Sequence, residues 1–523
     1  MSSPRHIHIF KNAPWLFVPS FIFLSVFVMW PTLVVLVESL DQSSLTRVLS
    51  NSQLRQMLWF TTWQAFISTI ATLAIGIPAA LVLSRYSFKA RQIIRALTFV
   101  PFVLPTVVVG IAFSSLSPAS YQSGPTPLIL AHIYLNIAVV VRVVGSRWEK
   151  LPTAFNDNAA LLGATPFTNF RTITFPLLRS SIIGAGSIVF IFCFSTYGAA
   201  RVLAGPRFPT IETEIYRYAF FLGNMPQASA LVVWQLFVIL LVLALTHRQK
   251  SIPLAQRNLM PLSSERKTKR VFFSIAATLI AVGTLLPIAI LLTDSLRSSQ
   301  GFTFSYWATS DMWTSFFTSL GIALFAAVMA LLFGTGSALA IAYSTRTRFH
   351  MFVQALTSLP IVISAVALGL GYLLAFRSEP MNWRGSLWLV AVAHCAVALP
   401  FVVRIITPAA REIQPELREN ALLLGASPWE AWKSIDLRFL LRPLAIAASF
   451  AFTISLGEFG ASSLLTRHGH ETLAMRIGQL LSRPGEQLQK QAIASACLLA
   501  FSCIAIALIV EYAVQFNRKK RTQ

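Results

Sequence analysis

The chain divides into runs of about twenty apolar residues, and that length is what a bilayer demands. A hydrocarbon core of roughly 30 Å is crossed by about 20 helical residues. Inside lipid each backbone polar group must be satisfied within the segment, so such runs read as helices. Twelve runs occur. Those in the first half span 15–38, 58–83, 93–116, 127–146, 181–200 and 228–246, and those in the second half span 271–292, 316–343, 352–376, 386–406, 444–465 and 491–514. Composition agrees, with 55% hydrophobic and only 12% charged residues in 523. Soluble domains carry about 25% charged residues. A mean hydropathy of +0.66 over this length excludes a soluble enzyme carrying one anchor helix. The expected fold class is an all-α membrane protein of about 12 transmembrane helices.

The first run follows Arg5 and Lys11 and exceeds a signal-peptide core, with no small-residue cleavage site after it. It is expected to remain as the first membrane helix.

The net charge is +23, which raises the question of a nucleic-acid partner. Where the charges fall answers it. With the N-terminus cytoplasmic, 30 of the 42 Lys and Arg residues lie in the segments assigned to the cytoplasmic side. That bias is the positive-inside rule, and an even number of spans puts both termini inside. The basic excess is a topology signal, and no nucleic-acid partner is expected. The expected location is a bacterial inner membrane, with the lipid bilayer as the surrounding partner. Cys193, Cys395, Cys497 and Cys503 all fall in apolar segments without a CxxC pair, so they read as buried thiols rather than a disulfide framework or a metal site.

The chain repeats itself. DNAALLGATPF, from Asp157 to Phe167, returns as ENALLLGASPW, from Glu419 to Trp429, at an offset of 262 residues. The same offset pairs His132 with His394, Arg142 with Arg404 and Gly198 with Gly460, while Pro101 and Gly110 pair with Pro360 and Gly369 at 259. Two homologous copies of about six helices follow: residues 1–247 and 271–523, joined by a basic cytoplasmic linker at 248–270. Six is even, so the copies are parallel repeats, with their axis along the membrane normal and a transport route expected between them.

The repeated motif lies in the two longest polar stretches, 142–180 and 404–443, both cytoplasmic by charge. Each reads as a short helix, a break and a second helix. The first helix ends at Gly163 or Gly425, because glycine takes positive φ without strain. Thr165-Pro166 and Ser427-Pro428 then supply an N-cap and a first-turn proline. Glu430 stands three residues after Ser427 and completes a capping box. Phe167 and Trp429 project from the first turn. Exposed aromatics on a rigid helix suit a groove on a partner protein; the alternative is that the loops pack on the protein's own helix ends.

These residues resemble the signature loop of bacterial ABC importer permeases: Glu-Ala-Ala, three residues, Gly, nine residues, Ile, one residue, Leu-Pro. The first copy matches at Asp157, Asn158, Ala159, Gly163, Ile173 and Pro176, and the second at Glu419, Asn420, Ala421, Gly425, Ile435 and Leu437. Asp157 replaces Glu, Asn replaces the first Ala in both copies, and Arg438 stands where Pro is usual.

The resemblance implies a type I ABC importer permease fold. It implies that these residues, with Phe167 and Trp429, form coupling loops docking on an ATP-hydrolysing subunit, present in two copies. It also implies an extracytoplasmic substrate-binding protein. A single chain with two copies is similar to thiamine and iron(III) permeases. The stretches Trp63–Phe66, Leu130–Asn136, Ala204–Pro206 with Thr210–Glu212, and Ser455–Gly460 look more like the thiamine type. Thiamine is the expected substrate, and iron(III) is the alternative.

No G-x-x-x-x-G-K-[ST] phosphate loop occurs, so ATP is expected to be used by the partner subunit. This chain is expected to have no catalytic residue, cofactor or metal of its own.

A few residues stand out singly. Glu458 lies in the apolar run 445–465, and an intramembrane carboxylate faces a bundle interior or a cavity. It reads either as a substrate-pathway contact or as a structural hydrogen bond. Thr196 holds the equivalent place in the first copy. His132 and His394 have no second ligand nearby in sequence and read as structural. Arg142 and Arg404 read as snorkelling to headgroups. Glu212 and Glu214 read as solvated loop residues or contacts for a binding protein.

Two further classes compete. An ion-coupled secondary transporter also uses parallel repeats but leaves the duplicated loop without a role. A membrane scaffold without transport activity has no need of both loop motifs.

Overall fold

In this computed structural model, the described residues are 14–40, 42–88, 90–118, 121–151, 155, 158–159, 161–246, 260–261, 267–298, 301–467 and 469–522. Among the described residues the regular structure is helical, apart from two pairs of two-residue strands. Tyr86–Ser87 lies parallel to Met260–Pro261, and Arg297–Ser298 lies antiparallel to Gly301–Phe302. Met260-Pro261 and the helical turn from Lys267 are the described parts of the 248–270 linker; the rest of it lies outside the described residues.

Among the described residues, ten helices are long and apolar enough to cross a bilayer, or twelve if two bent pairs each count as one span. The bent pairs correct the sequence reading of 93–116 and 352–376 as single straight helices. Arg91–Val103 meets Thr106–Leu116 at 102°, and Thr347–Val362 meets Ala365–Ala375 at 94°. The breaks fall at equivalent positions through different chemistry. In the first copy Pro105 drives Leu104 out of the helical region, to ψ 139°. In the second, Ile363 is extended at ψ 114°, and Ser364 restarts the helix by accepting the Ala367 N–H at 3.1 Å.

The run expected at 181–200 belongs to a helix reaching back to Phe167 and ending at Phe194. That expected at 444–465 belongs to Pro428–Leu456, followed by a separate helix, Gly460–Leu465.

Two compact units result, and they are not the two sequence copies. One comprises Met1–Leu40, Thr309–Arg476 and Phe501–Gln523; the other comprises Asp41–Ala308 and Ile477–Ala500. The first helix of each copy is thus grouped with the other copy's bundle.

In the unit built on 41–308, helix Ser52–Arg85 packs on Pro125–Trp148 and Phe175–Phe194. A β-carbon at Gly76 would lie 2.7 Å from Val140, so only glycine permits this crossing. The second copy's helix Lys267–Leu296 joins here. Its Phe273 and Ala277 pack with Leu83, Tyr86, Ile94 and Val141, and Tyr134 donates to the Thr284 carbonyl at 2.9 Å.

In the unit built on 309–476, helix Ser310–Tyr343 packs on Leu387–Arg411 and Leu437–Leu456. Gly334 faces Val402, where a β-carbon would approach to 2.6 Å, which repeats the crossing of the first copy. The first copy's helix Pro14–Glu38 joins here. Phe23 stacks on Phe333 at 4.7 Å, Ser20 donates to the Phe333 carbonyl, and a β-carbon on Gly371 would come within 3.0–3.2 Å of Pro31.

Candidate functional site: two capped loops

Each loop is a helix–glycine–helix corner fixed by local backbone chemistry. In the second copy, helix Pro415–Leu423 ends as Gly425 turns to φ +91°. The Ala426 N–H reaches back five residues to the Ala421 carbonyl at 3.1 Å, and the Gly425 N–H to Leu422. That is a Schellman termination, and it satisfies carbonyls the helix end would otherwise orphan. The first copy repeats it: Gly163 sits at φ +79° and the Ala164 N–H bonds the Ala159 carbonyl at 2.9 Å. An added β-carbon at either glycine meets nothing within 4 Å, so backbone conformation alone requires glycine there.

The second helix of each corner starts on its cap. Ser427 accepts the Glu430 N–H, and Glu430 accepts the Ser427 N–H at 2.8 Å, which completes the expected capping box. Thr165 accepts the Thr168 N–H at 3.2 Å. Both helices then pass through one wider π-type stretch, Phe170–Thr174 and Trp432–Asp436, before entering the membrane helices Phe175–Phe194 and Leu437–Leu456. No signal in the sequence announced these π stretches. They join each corner to a membrane span without a break, so motion of the corner is motion of the helix.

What the corners present is apolar and exposed. Leu161 and Leu162 are 86% and 88% exposed, and their counterparts Leu423 and Leu424 are 84% and 88%. Phe167 and Trp429 are 72% and 65% exposed. The loops therefore do not bury these side chains on the protein's own helix ends. Sequence reasoning singled out the aromatics but missed the leucine pairs, although both lie in the repeated motif. Contiguous exposed apolar side chains of this kind mark an interaction surface.

The remaining expected loop residues fall around that surface. Asn158, Glu419 and Asn420 are exposed, Ala159 is buried beneath the turn, and Ala421, Ile173 and Ile435 are half-buried. Asp157 lies outside the described residues.

The second corner is also tied to the bundle below it. Asp436 is fully buried and accepts both the Arg418 guanidinium, at 2.8 and 2.9 Å from Nε, and the Tyr343 hydroxyl at 2.7 Å. Burial acts to lower the Arg418 pKa, but its hydrogen bonds and the Asp436 charge outweigh this and hold it above its ordinary value. Arg418 thus stays charged at any working pH.

The membrane-embedded candidates fall elsewhere. Glu458 sits at the break between Leu456 and Gly460, not within a continuous span. Its carboxylate accepts the backbone N–H groups of Gly460, Ala461 and Ser462 at 2.8–3.2 Å, and His394 Nε2 lies 3.3 Å away. His394 also bonds Ser455 and Ser462 at 2.8 Å each. Thr196 is buried in the matching break of the first copy, and His132 there bonds Ser68 at 3.1 Å.

Glu212 and Glu214 are not the solvated residues expected. Glu212 is buried and bonds Gln235, and Glu214 forms a two-oxygen pair with Arg217. Arg142 is exposed, with its guanidinium 5.5 Å over the Phe99 ring, and Arg404 is exposed as well.

Comparison with known proteins bears on these loops. Residues 330–521, which include the whole second corner, match the family model of the binding-protein-dependent transport system inner membrane component. The chain is 28% identical over 484 residues to the thiamine transport system permease protein ThiP of Brucella suis biovar 1, covering 88% of each protein. It is 25% identical over 497 residues to ThiP of Escherichia coli strain K12, covering 90% of this chain and 91% of that one. Among solved structures, a bacterial ABC transporter involved in import of the acidic polysaccharide alginate aligns with a TM-score of 0.39 at 17% identity, over 44% of this chain and 91% of that chain.

Proposed function

We propose that this chain, a multi-pass inner-membrane permease of the binding-protein-dependent transport family, imports thiamine with energy from a separate ATP-hydrolysing subunit. The observation that carries the coupling is the duplicated corner: two capped, glycine-terminated turns, each presenting two exposed leucines and one aromatic. The substrate reading rests on the full-length relatives, which are thiamine permeases.

In this reading a soluble binding protein delivers the substrate to the outer face. Two copies of the ATPase receive the corners centred on Gly163 and Gly425. Residues 157–173 and 419–435 are the coupling segments, Asp157 and Glu419 included. Both chain termini are cytoplasmic. ATP is bound and hydrolysed only by the partner, and this chain needs no cofactor.

The mechanism follows from continuity. ATP-driven closure of the partner displaces the two corners. Each corner runs straight into a membrane helix through its π stretch, so the displacement is delivered to the span. A ligand or partner shifts a conformational equilibrium only by contacts that differ between the states. A rigid capped corner is a contact whose position can differ between them without unfolding.

The test is uptake by the reconstituted transporter, meaning permease, ATPase and binding protein in proteoliposomes, with thiamine and iron(III) offered separately. Thiamine uptake that requires internal ATP and survives collapse of the proton gradient supports the reading. Iron(III) uptake without thiamine uptake retains the permease and overturns the substrate. Uptake that follows the proton gradient instead overturns the ATP coupling.

A further inference from the structure

The two corners share one surface motif but not one foundation. In the second, Arg418 on the first short helix and Asp436 at the end of the π stretch are joined across the turn, 18 residues apart in sequence. Asp436 has no exposure, and the Arg418 side chain is 17% exposed, so water does not compete strongly for either group. Tyr343, the last residue of helix Ser310–Tyr343, donates to the same carboxylate, and the Arg418 guanidinium lies 4.7 Å over its ring. Trp432, in the same π stretch as Asp436, stacks on the exposed Trp429 at 5.1 Å and 13°. The π stretch Trp432–Asp436 thus carries both the stack under the exposed aromatic at one end and the clamp to the end of a membrane helix at the other.

The first copy cannot build this. At the 262-residue offset, Asn156 stands for Arg418, Thr174 for Asp436, Phe170 for Trp432 and Phe167 for Trp429. Neither clamp position carries a charge. Thr174 is buried, and Phe170 packs instead against Trp148 at 6.5 Å.

We infer that the Arg418–Asp436 pair, seated on Tyr343, is a positioning clamp that makes the second corner the stiffer of the two coupling arms. The inference rests on the coupling reading above and adds an asymmetry to it. Two identical ATPase copies meet the same Leu-Leu-Gly surface twice, but the charged clamp belongs to the second contact, and the first copy has Asn156 and Thr174 at those positions. Displacement of the second corner is therefore also delivered, through Arg418, Asp436 and Tyr343, to the end of helix Ser310–Tyr343, a second route for which the first copy lacks the residues.

The test replaces both charges at once, Arg418→Met with Asp436→Leu, in the assembled transporter. Removing a buried pair together leaves no unpaired charge, so the fold is expected to survive. The expected result is unchanged co-purification of the ATPase, with substrate moved per ATP hydrolysed falling by roughly 5–150-fold, the usual range of a coupling between sites. The exchanged pair, Arg418→Asp with Asp436→Arg, restores part of that ratio. Unchanged transport per ATP in the double variant overturns the clamp, and so does loss of ATPase association, which would make the pair part of the docking surface or the fold. Failure of the coupling reading itself shows separately, as ATPase association that is indifferent to changes at Gly163 and Gly425.

Discussion

Glu458 closes its carboxylate around the start of helix Gly460–Leu465, and His394 from a neighbouring helix reaches it at 3.3 Å. Both oxygens are engaged by backbone N–H groups, so the residue, one position before the N-cap Phe459, works as a buried capping group in the middle of a bundle.

That arrangement separates two roles. Glu458→Gln keeps an acceptor oxygen for the helix start and is expected to retain most of the transport activity. Glu458→Ala leaves buried N–H groups unpaired, at a cost of about 1–3 kcal/mol each. Thermal unfolding of the purified permease should drop for Ala and change little for Gln. A Gln variant that is stable yet inactive would show that the negative charge, not the cap, is what matters.

Gly163→Glu and Gly425→Glu attack the corners. Positive φ costs a non-glycine residue about 1–2 kcal/mol, and the new carboxylate would enter an apolar surface. A β-carbon added at either glycine meets nothing within 4 Å, so the membrane bundle should be unaffected. Co-purification of the ATPase is expected to fall in each single variant and to be lost in the double. Recovery of the ATPase at the wild-type level with the double variant would refute the coupling assignment.

The exposed side chains give a cleaner probe, because they bury little of their own surface in this chain. Trp429→Ala and Leu424→Ser are expected to leave thermal stability within about 0.5 kcal/mol, as for other surface changes. An aromatic anchor at an interface is worth about 2 kcal/mol or more, so ATPase affinity should weaken by at least about 30-fold for Trp429→Ala. Titration of purified ATPase onto the permease in detergent reads this directly.

Gly76 and Gly334 test the bundle itself. A β-carbon at either would stand 2.6–2.7 Å from a valine on the crossing helix. Overpacking of this kind costs about 1–3 kcal/mol. Gly76→Leu and Gly334→Leu should lower the unfolding temperature and the yield of inserted protein, while Gly184→Leu, where a β-carbon meets nothing within 4 Å, should not. Equal behaviour of all three variants would remove the argument for close crossings.

Much of this protein was legible in the chain because its physics is local. A run of about twenty apolar residues must become a helix wherever it ends up in lipid. Gly163, Thr165, Gly425, Ser427 and Glu430 act within five residues of themselves, so caps and turns could be read from spacing alone. The repeat was a comparison of the sequence with itself and needed no coordinates. The bends were nearly legible: Pro105 announced one, but Ser364 announces a helix start only once the chain before it is known to be extended.

What tertiary structure decided lies at long range. Pro31 meets Gly371 and Phe273 meets Tyr86 across 340 and 187 residues of chain, so the exchange of first helices between the copies left no periodic trace. Glu458 looked like an intramembrane charge in search of a ligand. Its role depended on a helix break beside it and on His394 from another helix. Nothing in the sequence distinguishes Arg418 and Asp436 from other loop charges, and only the fold of the corner buried one and brought the other and Tyr343 onto it. Sequence alone determined which segments enter the membrane and where the chain turns, since those are set by transfer to lipid and by neighbouring backbone groups. Which helices pack together, and which charges are buried in pairs, was decided by close packing between segments far apart in the chain.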